Sequence, residues 1–324
     1  MFEYLITRPL GWIINLIYSL VANYGWSIII FTIVIKMILM PLQVKSQKAM
    51  KKQQKIQPIM AELQKKYAND QEKLQRETMK LYKNNNISMT GGCLPLLIQM
   101  PILVGLYRVI QWPLNYLVGV DWASADAINK VYALRDAMAA QHPDIIGNLA
   151  SYDMNALHNT AQIQLSKWST MINGSGDPWA LNFDFLGLDI SNTPMTAIQQ
   201  MMAGNFGNLS VILLLLIPIF AVLLTFLSMK ISQAQTQGKD KDGKKIEQEG
   251  QAAQMSKTMN MMMPIMTGFF TISLPAGMGL YWIISSLVQI GQQVFLNYYF
   301  DKKGGDFNVT IPENKNRKNG KKRK

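Results

Sequence analysis

Long apolar stretches alternate with polar segments along the chain. Three of them, at 26–42, 94–118 and 211–229, are each about long enough as helices to cross a hydrocarbon core of roughly 30 Å. A fourth, at 259–299, runs for 41 residues without Asp, Glu, Lys or Arg, and Leu274-Pro275-Ala276-Gly277 interrupts it near its middle. Because Pro and Gly mark turns, this stretch is interpreted as two spans, and the predicted number of transmembrane helices is five.

Basic residues are concentrated in alternate connecting segments. Lys and Arg outnumber Asp and Glu by 11 to 4 in segment 43–92, by 6 to 4 in 230–258 and by 9 to 3 in 300–324, whereas segment 119–208 holds 3 against 8. Cytoplasmic loops of membrane proteins carry the Lys/Arg excess. The pattern predicts an all-α, multi-pass membrane protein of five transmembrane helices with its N-terminus outside and its C-terminus inside.

These boundaries divide the chain into ten predicted segments. Residues 9–23 are placed in the outer interface because their aromatic side chains suit the headgroup level, and a sixth span there would break the charge pattern. The segments are an interfacial helix at 1–22, the first span at 23–43, a cytoplasmic helical hairpin at 44–92, the second span at 93–118, an extracytoplasmic loop with a helical insertion at 119–208, the third span at 209–229, a cytoplasmic loop at 230–258, the fourth and fifth spans at 259–274 and 278–299, and a basic cytoplasmic tail at 300–324.

Helical spacing predicts finer features of the two long connections. In the hairpin, Asn69 is the predicted N-cap of the second helix because Glu72 follows it by three residues. In the outer loop, the sequence predicts helices at 123–141 and 144–172. The candidate packing face of the second hairpin helix consists of Leu74, Met79, Leu81 and Tyr82.

Polar side chains lie inside three of the predicted spans. Lys36 follows Trp26 by ten residues and precedes Lys45 by nine, about 15 Å and about 13 Å along a helix, so it is predicted near mid-membrane. An ionisable group at that depth costs about 2.5–3.5 kcal/mol on insertion scales and requires a reason. The polar positions are predicted to converge on a groove open to the cytoplasm, lined by Thr32, Lys36 and Gln43 of the first span, Gln99 of the second, and Trp282, Ser285, Gln289 and Gln292 of the fifth.

Plainer interpretations of these residues stay open. Lys36 could extend its amine to the inner surface without any other role, and the glutamines could serve only as hydrogen bonds between helices. The methionines at 255–266 either fill a core or offer an adaptable surface to apolar partners.

Catalytic constellations are absent from the sequence. His142 and His158 both lie in the outer loop, and the single cysteine, Cys93, lies at a predicted membrane boundary. No metal-ligand cluster, phosphate-binding loop or pairing of a nucleophile with a base is recognisable. We therefore expect no enzymatic activity and no cofactor.

Several stretches resemble the YidC insertase family of bacteria, with its mitochondrial and chloroplast relatives. They are IVIKMILMPL (33–42), LQRETMKLYKNNNIS (74–88), GGCLPLLIQMPILVGLY (91–107), FLGLDIS (185–191), MMMPIM (261–266) and LPAGMGLYWIISSLVQIGQQ (274–293). The resemblance implies a bacterial plasma-membrane protein with a groove that is closed outside and holds a positive charge for the acidic or polar tail of an incoming protein. It implies this role for Lys36, where the family usually has arginine, and a place on the substrate path for Thr32, Leu103 and Trp282.

The predicted function is that of a membrane protein insertase and chaperone. Its expected partners are nascent membrane proteins, the Sec translocon, anionic lipids, and the ribosome through the basic tail 315–324. Attraction of that tail to lipid is favoured over ribosome binding because no aromatic residues separate its charges. Two alternatives are a small-solute transporter with a cationic site, for which no internal repeat is seen, and an adaptor for ribosomes or translocon subunits, which would not need Lys36. Residues 121–178 have no predicted role.

Overall fold

The computed structural model of the chain is mostly helical and describes residues 1–87, 94–146, 157, 161–204, 209–236 and 251–302. Cys93, His158 and the tail 315–324 therefore lie outside the described residues. A π-helical turn, Glu3–Thr7, leads into the first helix, and a second, Leu114–Val118, follows the fifth. The helices are α1 Arg8–Val21, α2 Tyr24–Ile38, α3 Met40–Lys66, α4 Gln71–Asn84, α5 Leu94–Gln111, α6 Ala125–Gln141, α7 Pro143–Ile146, α8 Gln162–Asn173, α9 Pro194–Met202, α10 Leu209–Thr236, α11 Gln251–Ser273 and α12 Ala276–Lys302.

Apolar helices identify the fold as that of an all-α membrane protein, as the sequence predicts. Within the described residues, Glu3–Val21 and Leu209–Ala234 are long and apolar enough to cross a membrane, and a third crossing follows if the broken pair α2 and α3 counts as one span. Met261–Ser273 is apolar but shorter. The number of five spans and the interfacial placement of residues 1–22 both stay predictions.

The predicted first span, 23–43, is not one continuous helix. Helix α2 ends at Ile38, Leu39 lies in a turn, and α3 begins at Met40. Pro41 explains the break, because proline has no N–H to donate and its ring clashes with the carbonyl group four residues earlier. Helix α3 then continues through the region predicted as the first half of the hairpin.

The chain forms two compact units. The first contains residues 1–38, 97–225 and 264–288, and the second contains the described residues of 39–96, 226–263 and 289–324. In the first unit, Tyr24, Ile28 and Phe31 are buried on one face of α2, since residues four and three positions apart share a side of a helix. This face joins the main core with residues of α1, α5, α10 and α12.

The turn predicted at Leu274–Gly277 is confirmed. Helix α11 ends at Ser273, and α12 begins at Ala276. The first N–H groups of α12 have no partner within the helix, and the outer segment supplies carbonyl groups for two of them. Ala276 N–H donates to Asn192 O at 2.8 Å, and Gly277 N–H donates to Ile190 O at 2.9 Å.

The insertion that is predicted to be extracytoplasmic has a hydrophobic core of its own, named the outer core below. Helices α6 and α8 pack against each other, and their buried residues include Val131, Leu134, Leu165 and Trp168. The predicted helix at 123–141 is confirmed by α6. These residues lie at helical spacing on each element, so the pairing buries one apolar face of each helix.

The predicted helix at 144–172 is interrupted. Ala161 is not helical, and α8 begins only at Gln162. Leu157, Ala161 and Leu165 are all buried in the same core, and their four-residue spacing is the one that a helix places on a single face.

A partly buried ion pair links α6 to the segment that follows α8. Lys130 Nζ lies 2.6 Å from Asp177 Oδ1, and the Asn173 amide and the Trp179 backbone N–H donate to the same carboxylate. Burial by itself raises the pKa of Asp177, but the hydrogen bonds from Lys130, Trp179 and Asn173 outweigh it and lower the pKa to about 2.

We expect the outer core to lose stability as the pH falls from about 4 towards 2. A carboxyl group whose pKa is lower in the folded state stabilises the protein above its unfolded pKa of about 3.9, and this contribution disappears as the pH falls through the folded value. The shift corresponds to about 2 kcal/mol. Asp177→Asn is expected to cost about that amount at pH 7. The thermal unfolding temperature of the variant should also fall less steeply than that of wild type as the pH is lowered. An equally steep fall in both proteins would contradict this.

Helices α3 and α4 of the second unit pack against each other as a helical hairpin, within the range predicted as a cytoplasmic hairpin, 44–92; the cytoplasmic location stays a prediction. Ile56, Leu81 and Ile87 are buried between the helices, and Tyr82 packs against them. Two details of the prediction are wrong. Asp70, not Asn69, caps α4, because its carboxylate accepts the Lys73 N–H, and Met79 of the predicted packing face is exposed.

Candidate functional site

Three helices of the first unit place polar side chains next to one another. Lys36, in the last turn of α2, donates from Nζ to Gln99 Oε1 of α5 at 3.4 Å, a long hydrogen bond. Gln99 Nε2 in turn donates to the hydroxyl group of Tyr281 on α12. Residues separated by 63 and 182 positions therefore form one hydrogen-bonded chain among apolar helices.

Close helix packing positions the Tyr281 end of this chain. Gly279 of α12 lies against Ile217 of α10, and a Cβ atom at Gly279 would be only 2.3 Å from Ile217 Cγ2. The absence of a side chain allows the two helices to approach. Tyr281 itself is buried two residues later on α12.

Tyr281 was not among the predicted site residues, although Trp282 and Ser285 were. Tyr281, Ser285 and Gln289 recur every four residues on one helix face, and that spacing could have indicated it. Ser285 lies within hydrogen-bonding reach of the Tyr281 hydroxyl. Trp282 stacks on Phe270 of α11, with ring centroids 6.4 Å apart and an interplanar angle of 12°.

Two further predicted residues of the first unit contribute differently. Thr32 is buried, and its hydroxyl donates to the Ile28 carbonyl of its own helix at 2.6 Å. Leu103 lies one turn after Gln99 on α5 and packs against the main core. Thr32 thus lies one turn before Lys36 on α2, and the predicted place of Thr32 and Leu103 on a substrate path stays a prediction.

The remaining predicted groove residues belong to the second unit. Gln43 is half-buried in the first turns of α3, and Gln289 is half-buried on α12, where Gln292 is buried. The polar chain in the first unit is therefore built from Lys36, Gln99 and Tyr281. The predicted role of the three second-unit glutamines stays a prediction.

The hydrogen bond to Gln99 orients the Lys36 amine but does not cancel its charge, because both Gln99 and Tyr281 are neutral. A cation among apolar helices attracts a carboxylate or a carbonyl oxygen more strongly than it would in water, since the effective dielectric constant is lower. The arrangement can thus bind an acidic or polar group for a limited time. It contains no pairing of a nucleophile with a base.

Exposed methionines lie on α11. Met261, Met262 and Met266 each expose a large fraction of their side chains. For Met255 and Met259, only the backbone is described. The exposed thioethers suit contact with apolar surfaces of varied shape, because methionine is flexible and polarizable.

We expect Tyr281→Phe to lower the thermal unfolding temperature in detergent. Removal of the hydroxyl leaves the half-buried Gln99 N–H without this acceptor, and hydrogen bonds between membrane helices contribute about 0.5–2 kcal/mol. Tyr298→Phe, an exposed position on the same helix, is the matched control and should change little. In the double variant with Gln99→Leu, the added effect of Tyr281→Phe should shrink; full additivity would contradict the bond.

The fold and the site define a class: a helical membrane protein with a hydrogen-bonded cationic group held among its apolar helices. The family model described as 60Kd inner membrane protein matches residues 16–303. The chain therefore belongs to this family, which is that of the YidC insertases.

Individual relatives match to different extents. The chain is 29% identical over 306 residues to Membrane protein insertase YidC 2 of Listeria innocua, covering 92% of the chain and 72% of that protein. It is 44% identical over 105 residues to Membrane protein insertase YidC of Nitratidesulfovibrio vulgaris and 46% identical over 110 residues to that of Syntrophus aciditrophicus. These two matches cover about a third of the chain and a fifth of each relative.

Proposed function

We propose that the chain is a membrane protein insertase and membrane chaperone of the bacterial plasma membrane. Family membership and the printed names of the relatives support the class of function. The observation that carries the proposal is the hydrogen-bonded chain of Lys36, Gln99 and Tyr281, which holds a cation among apolar helices. Such a group is costly inside a membrane and calls for a function.

In the proposed mechanism, Lys36 attracts the hydrophilic segment that precedes a span of the incoming protein. The polar side chains around it shorten the apolar barrier that this segment must cross. The apolar span of the substrate then partitions into lipid, and the burial of its apolar surface drives the step without a nucleotide. The exposed methionines of α11 offer that span an adaptable apolar surface as it leaves.

The proposed topology has five spans around the groove, with the N-terminus outside and the C-terminus inside. Charge distribution supports it, because the acidic outer loop would face outward and the three basic segments inward. Proposed partners are nascent membrane proteins, the Sec translocon, anionic lipids and the ribosome, the last two through the basic tail.

Reconstitution tests the proposal directly. The purified chain in liposomes should translocate the short acidic N-terminal tail of a single-span substrate, scored by protection of the tail from added protease. Empty liposomes measure spontaneous insertion, and a substrate with Asn and Gln in place of the tail carboxylates is the matched control.

The outcomes distinguish the proposed function from its alternatives. Protection well above empty liposomes, and greater for the acidic than for the neutral tail, supports an insertase with a cationic groove. Insertion that requires added ribosomes or translocon indicates an adaptor. Saturable flux of small anions through the folded protein, without tail protection, indicates a transporter and contradicts the proposal.

A further inference from the structure

The β-hairpin that precedes α9 carries an apolar residue at its tip. Strand β1, Asp184–Phe185, pairs antiparallel with β2, Leu188–Asp189. The two connecting residues, Leu186 and Gly187, have φ values of 55° and 77°, which is the pattern of a type I′ turn. Gly, Asn and Asp are the residues usually found there. A leucine with 78% of its surface exposed therefore requires an explanation other than turn formation.

The hairpin is fixed to the N-terminal end of α2. Asn23 Nδ2 donates to the Asp184 carbonyl at 2.6 Å, and the Tyr24 N–H donates to the Asn182 carbonyl at 2.9 Å. The Phe185 ring lies directly on Gly25, where a Cβ atom would be 2.4 Å from the ring. Any residue larger than glycine at position 25 would push the hairpin away from α2. Glycine at this position therefore permits the contact.

An aromatic contact joins the hairpin to the exposed apolar face of α2. The rings of Phe185 and Trp26 meet edge to face at 5.4 Å, and Trp26 is about half exposed. Exposed Ile33 and Met37 follow Trp26 by seven and eleven residues, so they lie on the same face of α2. Leu186 extends this apolar stripe beyond the helix end.

We infer that the hairpin tip is a lipid anchor, in which Leu186, Phe185 and Trp26 insert into the headgroup boundary of the outer leaflet. Lipid is the occupant because the stripe continues a helix face of a membrane protein, and because tryptophan is enriched at membrane–water interfaces. The exposed Asp184 carboxylate limits the depth. The same carboxylate would repel anionic lipid, so the attraction is apolar rather than electrostatic and neutral lipid should suffice.

Such an anchor would set the depth of the polar site. Trp26 lies ten residues before Lys36 on α2, about 15 Å along the axis at about 1.5 Å per residue. With Trp26 and the hairpin held at the outer boundary, Lys36 would be held close to the middle of the hydrocarbon core. The inference about lipid contact stands whether or not the chain inserts proteins.

Depth-dependent quenching tests the anchor. The full chain with Cys93→Ser and Leu186→Cys is labelled with a small polarity-sensitive fluorophore and reconstituted in phosphatidylcholine vesicles. Nitroxide lipids labelled near the headgroup should quench it several-fold more than iodide present on both sides of the membrane. Ser175→Cys, an exposed position in the outer insertion, is the matched control and should show the reverse order.

Two results decide the inference. Strong quenching by the shallow nitroxide at Leu186, in vesicles of neutral lipid and at both low and high salt, supports the anchor. Iodide quenching at Leu186 equal to that at Ser175 overturns it. If Leu186→Cys does not fold, Asp184→Cys replaces it: a label there should show more nitroxide quenching than Ser175, and equality again overturns the inference.

Discussion

Lys36→Ala is expected to reduce translocation of an acidic N-terminal tail by about ten-fold or more, whereas Lys36→Arg should retain most of the activity. A ten-fold change corresponds to about 1.4 kcal/mol. Two opposite charges about 4 Å apart attract by about 4 kcal/mol at an effective dielectric constant near 20, and desolvation offsets part of that gain. The loss of the cation is therefore large enough to dominate the rate.

Matched variants separate the charge from other effects of the substitution. Lys45 is exposed at the start of α3, and Lys45→Ala removes one positive charge away from the hydrogen-bonded chain. Protease protection of the tail should be unchanged by Lys45→Ala. A substrate with a neutral tail should respond weakly to Lys36→Ala. Equal translocation of the acidic tail by wild type and Lys36→Ala would contradict the charge mechanism. It would not contradict the insertase function itself.

Lys36→Arg tests how the amine is oriented. The ammonium group of lysine is a compact charge on a flexible stem, whereas guanidinium is planar and can bind a carboxylate through two parallel hydrogen bonds. Gln99 presents one oxygen to this position, which either group can use. We expect Lys36→Arg to keep the contact with Gln99 and therefore to retain most of the wild-type translocation.

The sequence predicted the polar site in part because charged and amide groups stand out in apolar stretches. Lys36 and Gln99 both lie in segments otherwise suited to hydrocarbon, and the structure joins them. Tyr281 could not be distinguished from a hydrophobic core residue in the sequence, because most of the tyrosine side chain is an apolar ring. Its hydroxyl becomes informative only when the packing of α12 brings it to Gln99.

Helix boundaries were predictable where a single residue decides them and less so elsewhere. Pro275 separates α11 from α12, as predicted. Pro41 is the local signal for the break at Leu39, because proline disrupts the helical turn that precedes it. The interruption at Ala161 has no such local signal, because neither proline nor glycine stands beside it.

The β-hairpin shows a different limit of prediction. Its sequence, FLGLDIS, carries a resemblance to a family but predicts no hairpin. Leucine at a left-handed position is not a turn signal. The hairpin is held by Asn23 and by the Phe185 contact with Gly25, which are more than 150 positions away along the chain. Long-range packing, not local preference, thus determines this element.

Trp168→Ala is expected to unfold the outer core locally. Trp168 is among the largest fully buried side chains and lies in the core of α6 and α8, and truncation of a buried tryptophan costs about 3–5 kcal/mol. The measurement is limited proteolysis of the reconstituted protein, with fragment mapping. Cleavage should increase within residues 119–181, while Trp168→Phe should stay close to wild type and Trp12→Ala, at an exposed site, should change little.

The reach of that unfolding depends on one π-helical turn. Within Leu114–Val118, Leu114 is buried in the outer core and Leu117 in the main core of the first unit. If the unfolding caused by Trp168→Ala stops at this turn, α2, α5 and α12 retain their contacts. Tail translocation by this variant should then still depend on Lys36. We expect this result, because the outer core is formed by residues close in sequence. Unchanged proteolysis, or cleavage spread equally over α2 and α12, would contradict a separable outer core.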